Sequence, residues 1–241
     1  MNWLSMPRTP EPEVMAEADE VEAYASAAAQ AYLDAIDNTL VEQVVSLAPT
    51  DHASGAAGDS SALSGWLLDV GTGPGGIPLK LVRRFPGLRA VGIDRSLNMV
   101  RAARQSAREQ GRADRAFFLV ADARRIAFPD GCFDIVLSNS VLHHLHDPVP
   151  VLNEMARLAK PSGMVLLRDL RRPSRLAFAL HVGWFGRYYS GLMKKLYVDS
   201  VRAAYTASEL RALLRGSALT DAEVFRHRRT HLGFVRRPNA R

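Results

Sequence analysis

The feature that most constrains the fold is the stretch at residues 66–76, WLLDVGTGPGG. A short apolar run that ends in an acid and continues into glycines at alternate positions is typical of a buried parallel strand that turns tightly into a helix. Gly71, Gly73 and Gly75 lack a Cβ atom, so their backbone can adopt conformations closed to other residues and a ligand can lie against it. The stretch therefore predicts a strand, a ligand-binding turn and a helix.

The spacing of these glycines separates two classes of ligand. Dinucleotide-binding chains carry G-x-G-x-x-G and place a pyrophosphate at the helix N-terminus, whereas the glycines here follow G-x-G-x-G. Asp69, two residues before the first glycine, would repel a phosphate and attract an ammonium group. We therefore expect a cofactor with an ammonium group; an ordinary strand-to-helix turn without a ligand is the alternative.

The same stretch resembles motif I of the class I S-adenosylmethionine-dependent methyltransferases, whose loop holds the methionine moiety of the cofactor. Residues 120–123 (VADA) and 128–134 (FPDGCFD) are similar to the third and fourth motifs of that family. Residues 138–145 (SNSVLHHL) resemble the matching stretch of the ubiquinone/menaquinone C-methyltransferase type. The resemblance covers about residues 67–169, and it implies S-adenosyl-L-methionine as cofactor and methyl transfer to a small-molecule acceptor, phenolic or quinone-like.

The resemblance also assigns roles to acids at predicted strand ends, where open α/β sheets bind their ligands. Asp94 is expected to accept both ribose hydroxyls, Asp122 to accept from the adenine amino group, and Ala123 to donate its backbone N–H to the ring. Taken alone, each acid can also be a solvated turn residue or a helix cap. The cofactor-binding residues implied are Asp69, Gly71, Thr72, Gly73, Gly75, Asp94, Arg95, Asp122, Ala123, Ser138 and Asn139.

Beyond the glycine turn, strand-like and helix-like patterns alternate, which predicts an α/β fold with a doubly wound sheet. The predicted strands are 89–93, 116–120, 133–137 and 164–168, followed by an antiparallel pair at 222–225 and 231–235; the predicted helices are about 75–85, 97–110, 147–159 and 207–214. The family resemblance implies a Rossmann-like seven-stranded sheet in the order 3-2-1-4-5-7-6, with the last strand antiparallel.

The chain divides into four predicted segments. Residues 1–12, with three prolines, are expected to be a flexible arm, and 13–49 an alanine-rich helical lid of two helices. Residues 50–65 are polar and small and predict a linker. Residues 66–241 form the cofactor-binding domain, and its aromatic and basic insertion at 171–205 is where we expect acceptor choice to reside.

Three residues are candidates for a general base. His143, His144 and Asp169 follow predicted strands and so are expected near the transferred methyl group, although a histidine in such a position is more often packed or capping. We expect no metal, because His143, His144 and His146 show neither i, i+4 pairing nor a nearby carboxylate set, and Cys132 is the only cysteine. For the acceptor, Tyr24 is expected on the lid, with Arg171 and Arg172 binding an anionic group; a core tyrosine and a solvated loop are the alternatives.

The charge distribution leaves other functions open. The net charge is +6, and residues 165–241 are strongly basic, which fits an anionic small molecule, a membrane surface or RNA as well as a solvated surface. RNA methylation is the second hypothesis, although no RNA-binding module is recognisable, and a non-catalytic cofactor-binding module is the third. An NAD-dependent oxidoreductase is disfavoured by the glycine spacing. The single cysteine and the unremarkable N-terminus predict a cytoplasmic protein, monomeric or homodimeric, for which peripheral membrane contact is open and nucleic acid is not the expected partner.

Overall fold

The computed structural model describes residues 6–11, 27–47 and 63–237. Its centre is a seven-stranded sheet in the order β3-β2-β1-β4-β5-β7-β6. β7 runs antiparallel to both of its neighbours, and the other pairings are parallel. The strands are β1 Gly65–Val70, β2 Leu88–Asp94, β3 Ala116–Val120, β4 Phe133–Asn139, β5 Ala159–Leu170, β6 Glu223–His227 and β7 His231–Arg236. The predicted fold class and strand order are confirmed.

Seven helices are described around this sheet: α1 Ala27–Leu47, α2 Gly76–Arg84, α3 Leu97–Glu109, α4 Val149–Leu158, α5 Phe178–Phe185, α6 Gly191–Ala203 and α7 Ala207–Arg215. Two 3₁₀ turns lie at Leu142–His144 and Gly186–Tyr188. Ser96 caps α3 as its sequence position predicts, accepting a hydrogen bond from the Met99 N–H. None of the described helices has the length and apolar character needed to cross a membrane.

Successive residues of the central strands are buried on opposite faces of the sheet. On β1, Leu67 belongs to a core cluster that includes Leu40 of α1 and Val100 of α3, whereas Leu68 belongs to a second cluster with Leu152 of α4 and Leu210 of α7. Both faces are thus covered by helices, which is why the strands read as continuous apolar runs. The carboxyl ends of β1, β2 and β4 are left to form a site.

The structure departs from the sequence predictions at β5. The predicted strand ends at Arg168, whereas the observed one extends to Leu170 because it pairs with β7, with Asp169 opposite Leu232 and Leu170 opposite His231. Asp169 is therefore buried inside a strand, not exposed at a strand end. The pairing partner is some sixty residues away in sequence, so no local pattern indicates it.

The predicted flexible arm also differs where it is described. Residues 6–11, here called the strap, lie against the end of α6 and the turn at Leu142–His144: the Thr9 N–H donates to the Arg202 carbonyl at 3.2 Å and Arg172 Nε to the Met6 carbonyl at 2.9 Å. Within the predicted lid, α1 is described and residues 12–26 lie outside the description, as do residues 48–62 of the predicted linker.

Candidate functional site

A cavity of about 320 Å³ lies at the carboxyl ends of the central strands, where the turn after β1 meets the insertion at 171–205. Eleven of the predicted site residues line it: Asp69, Gly71, Thr72, Gly73, Asp94, Arg95, Asp122, Ala123, Asn139, His143 and His144. The insertion contributes Tyr189, Met193, Leu196, Tyr197 and Ser200, and α1 contributes Asp34, Ile36 and Asp37. The cavity therefore joins a glycine-rich, acidic half to an aromatic and histidine-bearing half.

The three glycines of the turn all have positive φ, but for different reasons. At Gly71 (φ 74°) a Cβ atom would come within 2.2 Å of Val141 Cγ2, and at Gly75 (φ 82°) within 2.8 Å of the Phe118 ring. At Gly73 (φ 53°) a Cβ atom would meet nothing within 4 Å. Gly75 does not line the cavity. Its predicted role in cofactor binding is therefore replaced by a packing role, because the start of α2 closely approaches β3.

Asp69 lies buried beneath this turn. Its Oδ2 accepts a hydrogen bond from Thr72 Oγ1 at 2.8 Å, and its Oδ1 is buried with no hydrogen-bond partner among the described residues. Burial raises the pKa of Asp69 to about 7. A buried carboxylate oxygen without a partner, on the wall of a cavity, fits a ligand ammonium group that supplies the missing hydrogen bonds and charge.

Asp94 holds the turn in shape at the end of β2. Its Oδ2 accepts from the Gly73 N–H at 2.9 Å and its Oδ1 from the Ser96 N–H at 2.8 Å. Each carboxylate oxygen has a second lone pair, so the carboxylate can still accept from two hydroxyl groups of a ligand. The position after β2 and the orientation of the carboxylate fit the predicted ribose site.

The adenine side of the predicted site is more open. Asp122 is bound by Arg124, whose Nη2 lies 2.9 Å from Asp122 Oδ2, and these hydrogen bonds lower the pKa of Asp122. Asn139 lines the cavity and its Oδ1 accepts from Arg168 Nε at 2.9 Å. Ser138 does not line it: its hydroxyl donates to the Val70 carbonyl at 2.8 Å, which ties β4 to β1. The predicted cofactor role of Ser138 is therefore wrong, since alternate residues of β4 point to opposite faces.

The three predicted base candidates are together, and a fourth residue joins them. His143 Nδ1 lies 2.5 Å from Asp169 Oδ1, and the Asp169 Oδ2 accepts from the His143 backbone N–H at 3.0 Å. Glu11 of the strap places its Oε1 3.3 Å from His143 Nε2 and 3.0 Å from His144 Nδ1. His143 and His144 line the cavity and Asp169 lies behind them. Glu11 was missed because a lone acid among prolines gives no signal of its contacts.

In this cluster, the interactions between His143, Asp169 and Glu11 favour the charged form of each side chain. Burial lowers the pKa of His143, but the charge and hydrogen bond of Asp169 and the charge of Glu11 outweigh it, so the pKa is raised. Burial likewise raises the pKa of Asp169, and the charge and hydrogen bond of His143 reverse this and lower it. Glu11 also has a lowered pKa, because its interactions with His144 and His143 outweigh its burial. The charges therefore favour a proton on His143, which lies between two carboxylates.

The two arginines predicted to bind the acceptor, Arg171 and Arg172, are not among the residues that line this cavity. Arg172 is buried and donates to the carbonyls of Met6 and Ala204 and to Glu209, so it joins the strap to α7. Arg171 donates to the Arg229 carbonyl at 3.0 Å and borders a separate groove. Both predictions are corrected: these arginines follow β5 on the side away from the cavity. Tyr24 lies outside the described residues.

Within the described ranges, one group of side chains could hold a metal ion. The ligand atoms of Glu11, His143 and His144 all lie within 4.8 Å of one another. Asp169 would supply the carboxylate that commonly supports a ligating histidine. The expectation of no metal rested in part on the lack of a carboxylate near these histidines. Glu11 of the strap supplies such a carboxylate, so this reason no longer applies.

Comparison with known proteins agrees with this geometry. A family model described as "Methyltransferase domain" matches residues 68–167. The chain is 31% identical over 175 residues to the ubiquinone/menaquinone biosynthesis C-methyltransferase UbiE of Desulfotalea psychrophila, covering 68% of this chain and 69% of the relative. It is 36% identical over 114 residues to a demethylmenaquinone methyltransferase of Thermus thermophilus, covering 47% of this chain and 51% of that relative.

Among solved structures, the PH0226 protein of Pyrococcus horikoshii superposes with a TM-score of 0.61 over 89% of this chain and 93% of that one, at 18% identity, which shows the fold. The chain spans about half, or less, of two of the curated relatives that it matches, at 51% and 39% of their length. The residues matched by the family model contain the glycine turn and Asp69, Asp94 and Asp122 of the cavity. The chain belongs to the class I S-adenosylmethionine-dependent methyltransferases.

Proposed function

We propose that this chain transfers the methyl group of S-adenosylmethionine to a small-molecule acceptor, phenolic or quinone-like. One observation carries the proposal: a single cavity is lined by the glycine turn after β1 on one side and by His144, Tyr189 and Met193 on the other. The bound cofactor would supply an electrophilic methyl group on a sulfonium. The residues of the chain would orient the two reactants and hold the proton that the acceptor releases.

The composition of the acceptor half supports a planar, apolar acceptor. Tyr189, Met193, Leu196 and Tyr197 form its wall, and aromatic and thioether side chains pack well against rings. The Desulfotalea relative is a C-methyltransferase of ubiquinone/menaquinone biosynthesis by name, which supports a quinone-like acceptor. His143, His144 and Asp169 are proposed as the acid–base group that handles the proton of such an acceptor.

The test has two parts. Calorimetry with S-adenosylhomocysteine should show one site, and release of S-adenosylhomocysteine from S-adenosylmethionine should require a phenol or quinol from a panel of acceptors that also includes amines, carboxylic acids and RNA. Turnover with RNA and not with phenols would replace this proposal by the RNA hypothesis. Binding without turnover on any acceptor would favour the non-catalytic module.

We extend the proposal to a peripheral contact with membranes. Leu176, just before α5, and Leu180 and Trp184 within it are 67%, 78% and 63% exposed, and residues 170–198 contain six Lys or Arg residues and no acidic ones. An exposed apolar stripe with basic flanks favours the surface of an anionic bilayer. Co-sedimentation with vesicles of anionic lipid, compared between the wild type and Trp184→Ser, tests this contact. A cytoplasmic location and a monomeric or homodimeric state complete the proposal, the latter measurable by analytical ultracentrifugation.

A further inference from the structure

The strap reaches the acceptor half of the cavity because Arg8 clamps it there. Arg8 Nε donates to the Ala203 carbonyl at 2.6 Å, and its Nη2 donates to the carbonyls of His143 at 2.9 Å and Leu145 at 3.1 Å. The guanidinium also lies 4.3 Å from the centre of the Tyr205 ring. These hydrogen bonds join the end of α6 to the 3₁₀ turn at Leu142–His144, here called the histidine turn, and hold the backbone of the strap just before Glu11.

With the strap held by Arg8, the Glu11 carboxylate lies beside two imidazole rings. Its Oε1 lies 3.0 Å from His144 Nδ1 and 3.3 Å from His143 Nε2, and the Ser200 hydroxyl donates to the same oxygen at 3.1 Å. The Glu11 side chain is only 11% exposed. A buried carboxylate needs donors, and the His144 ring and the Ser200 hydroxyl supply them. Glu11 therefore accepts hydrogen bonds from His144 and Ser200 and lies in ion-pair contact with His143.

This arrangement distinguishes the two histidines. His143 has both ring nitrogens beside carboxylates, with Nδ1 2.5 Å from Asp169 Oδ1 and Nε2 3.3 Å from Glu11 Oε1, so neither nitrogen is left open to an acceptor molecule. His144 has only Nδ1 engaged, and its Nε2 makes no hydrogen bond within the described part of the chain. Because the His144 ring lines the cavity, its Nε2 is the nitrogen available to a substrate.

We propose that Glu11 is a positioning residue that holds neutral His144 as the Nδ1–H tautomer, and that the Nε2 of His144 is the general base. The inference rests on the proposed methyl transfer. The acceptor hydroxyl gives its proton to Nε2 while its oxygen forms a bond to the methyl carbon and the methyl–sulfur bond breaks. The products are the methyl ether, S-adenosylhomocysteine and a His144 imidazolium facing the Glu11 carboxylate. A carboxylate that orients a histidine and stabilises its cation is the arrangement of hydrolase triads.

The charges around His144 are consistent with this role. On the strap they are Glu11 and Arg8; on the histidine turn, His143, on which the charges favour a proton; and on β5, Asp169. The Glu11 carboxylate, 3.0 Å from Nδ1, would compensate the charge of the ring when Nε2 takes the proton of the acceptor.

Nuclear magnetic resonance of the full-length protein with ¹⁵N-labelled histidine tests the inference without an acceptor. In the wild type saturated with S-adenosylhomocysteine, we expect the His144 signals to show a protonated Nδ1 and a bare Nε2. In Glu11→Leu, which has no acceptor atom at this position, we expect His144 to change to the Nε2–H tautomer. Glu109→Leu, a change of the same kind on the exposed surface of α3, should leave the His144 signals unchanged. The signal is assigned with His144→Gln.

Kinetics add a second readout once an acceptor is known. Glu11→Leu should lower kcat on the order of 10²-fold, the size of a general-base contribution, with S-adenosylhomocysteine affinity within about twofold of the wild type. Glu11→Gln, which keeps an oxygen at the same position, should restore the Nδ1–H tautomer and part of kcat.

Either of two results would overturn the inference: an Nε2–H tautomer in the wild type, or an Nδ1–H tautomer that persists in Glu11→Leu. Stoichiometric zinc in the purified protein, lost in Glu11→Leu, would also overturn it, because the nitrogens would then be metal ligands. If the tautomer behaves as expected and no acceptor turns over, the positioning stands and the proposed methyl transfer fails.

Discussion

At the scale of single residues, the Asp94 carboxylate holds the loop in shape and is also the group that we propose binds the ribose of the cofactor. It accepts two backbone N–H groups from the turn and from the start of α3. We expect Asp94→Ala to raise the dissociation constant of S-adenosylhomocysteine roughly 100-fold, because two charge-assisted hydrogen bonds to hydroxyls are lost. Isothermal calorimetry measures this, with Asp114→Ala as an exposed control. Unchanged affinity would remove Asp94 from the ribose site.

Asp69 makes a prediction about pH. Burial raises its pKa to about 7, so at pH 6 most molecules carry a neutral carboxyl and at pH 8 most carry the carboxylate that attracts a ligand ammonium group. Affinity for S-adenosylhomocysteine should therefore rise between pH 6 and 8, with a proton released on binding. Asp69→Asn should bind weakly and remove this rise. A shallower dependence near pH 6 should remain, since burial raises the pKa of neighbouring Asp37 to about 6. A flat wild-type profile would contradict the assignment.

The raised pKa of Asp69 also makes the stability of the fold depend on pH, in the direction opposite to that of the ligand affinity. Between about pH 4 and 7 the folded state keeps a proton on Asp69 that the unfolded chain has lost, so stability should fall as pH rises through this window. In Asp69→Asn, whose amide cannot ionise, the slope should be smaller. Urea denaturation at pH 5 and pH 8 compares the two slopes, and equal slopes would show that the raised pKa is wrong.

At the scale of elements, Arg168 connects α1 to the sheet. It is fully buried and donates to Asn139 Oδ1 at 2.9 Å, to Thr39 Oγ1 at 2.7 Å and to the Ile36 carbonyl at 3.2 Å. Arg168→Met keeps the length but leaves these acceptors unpaired, and we expect a loss of about 3 kcal/mol of unfolding free energy. Hydrogen exchange should rise first in residues 34–47, before β1. Uniform exchange across both elements would show that Arg168 does not act on α1 in particular.

The elements themselves were largely predictable, because each strand is an apolar run bounded by turn residues. β3 was predicted at its observed ends, and the Ser96 cap follows from local sequence. The errors have a common physical origin in contacts between distant residues. Asp169 is buried because β7 pairs beside it, and Glu11 reaches the histidines because Arg8 binds carbonyls more than 130 residues away. Local periodicity carries no information on such contacts.

Residue direction was the second source of error. Ser138 and Asn139 are adjacent, yet only Asn139 lines the cavity, since alternation on β4 turns Ser138 toward β1. The turn after β1 lines the cavity, as a ligand site there requires, but Gly75 packs against the Phe118 ring and does not line it. A motif indicates where a loop lies, and the packing behind it decides which of its residues face a ligand.

At the scale of the whole molecule, the cavity has two halves of different origin. The cofactor half comes from the stretch that matches the methyltransferase family model, residues 68–167. Much of the acceptor half comes from outside that stretch: α6 and the tip of β7 line it, and the strap braces its histidines. Elements outside the shared stretch can therefore change acceptor choice without disturbing the cofactor site.

This division predicts that the two halves can be uncoupled at Arg8. Arg8→Met would remove three hydrogen bonds to carbonyls and the contact with Tyr205, releasing the strap while leaving Asp69 and Asp94 in place. S-adenosylhomocysteine should bind within about twofold of the wild type, so saturating ligand should still raise Tm by a similar amount. Amide exchange should increase in residues 142–145, and kcat on any acceptor found should fall about tenfold or more, because Glu11 no longer orients His144. Arg108→Met on the exposed surface of α3 is the matched control. Equal losses of cofactor affinity and turnover in Arg8→Met would show instead that the strap belongs to both halves and that the cavity works as one unit.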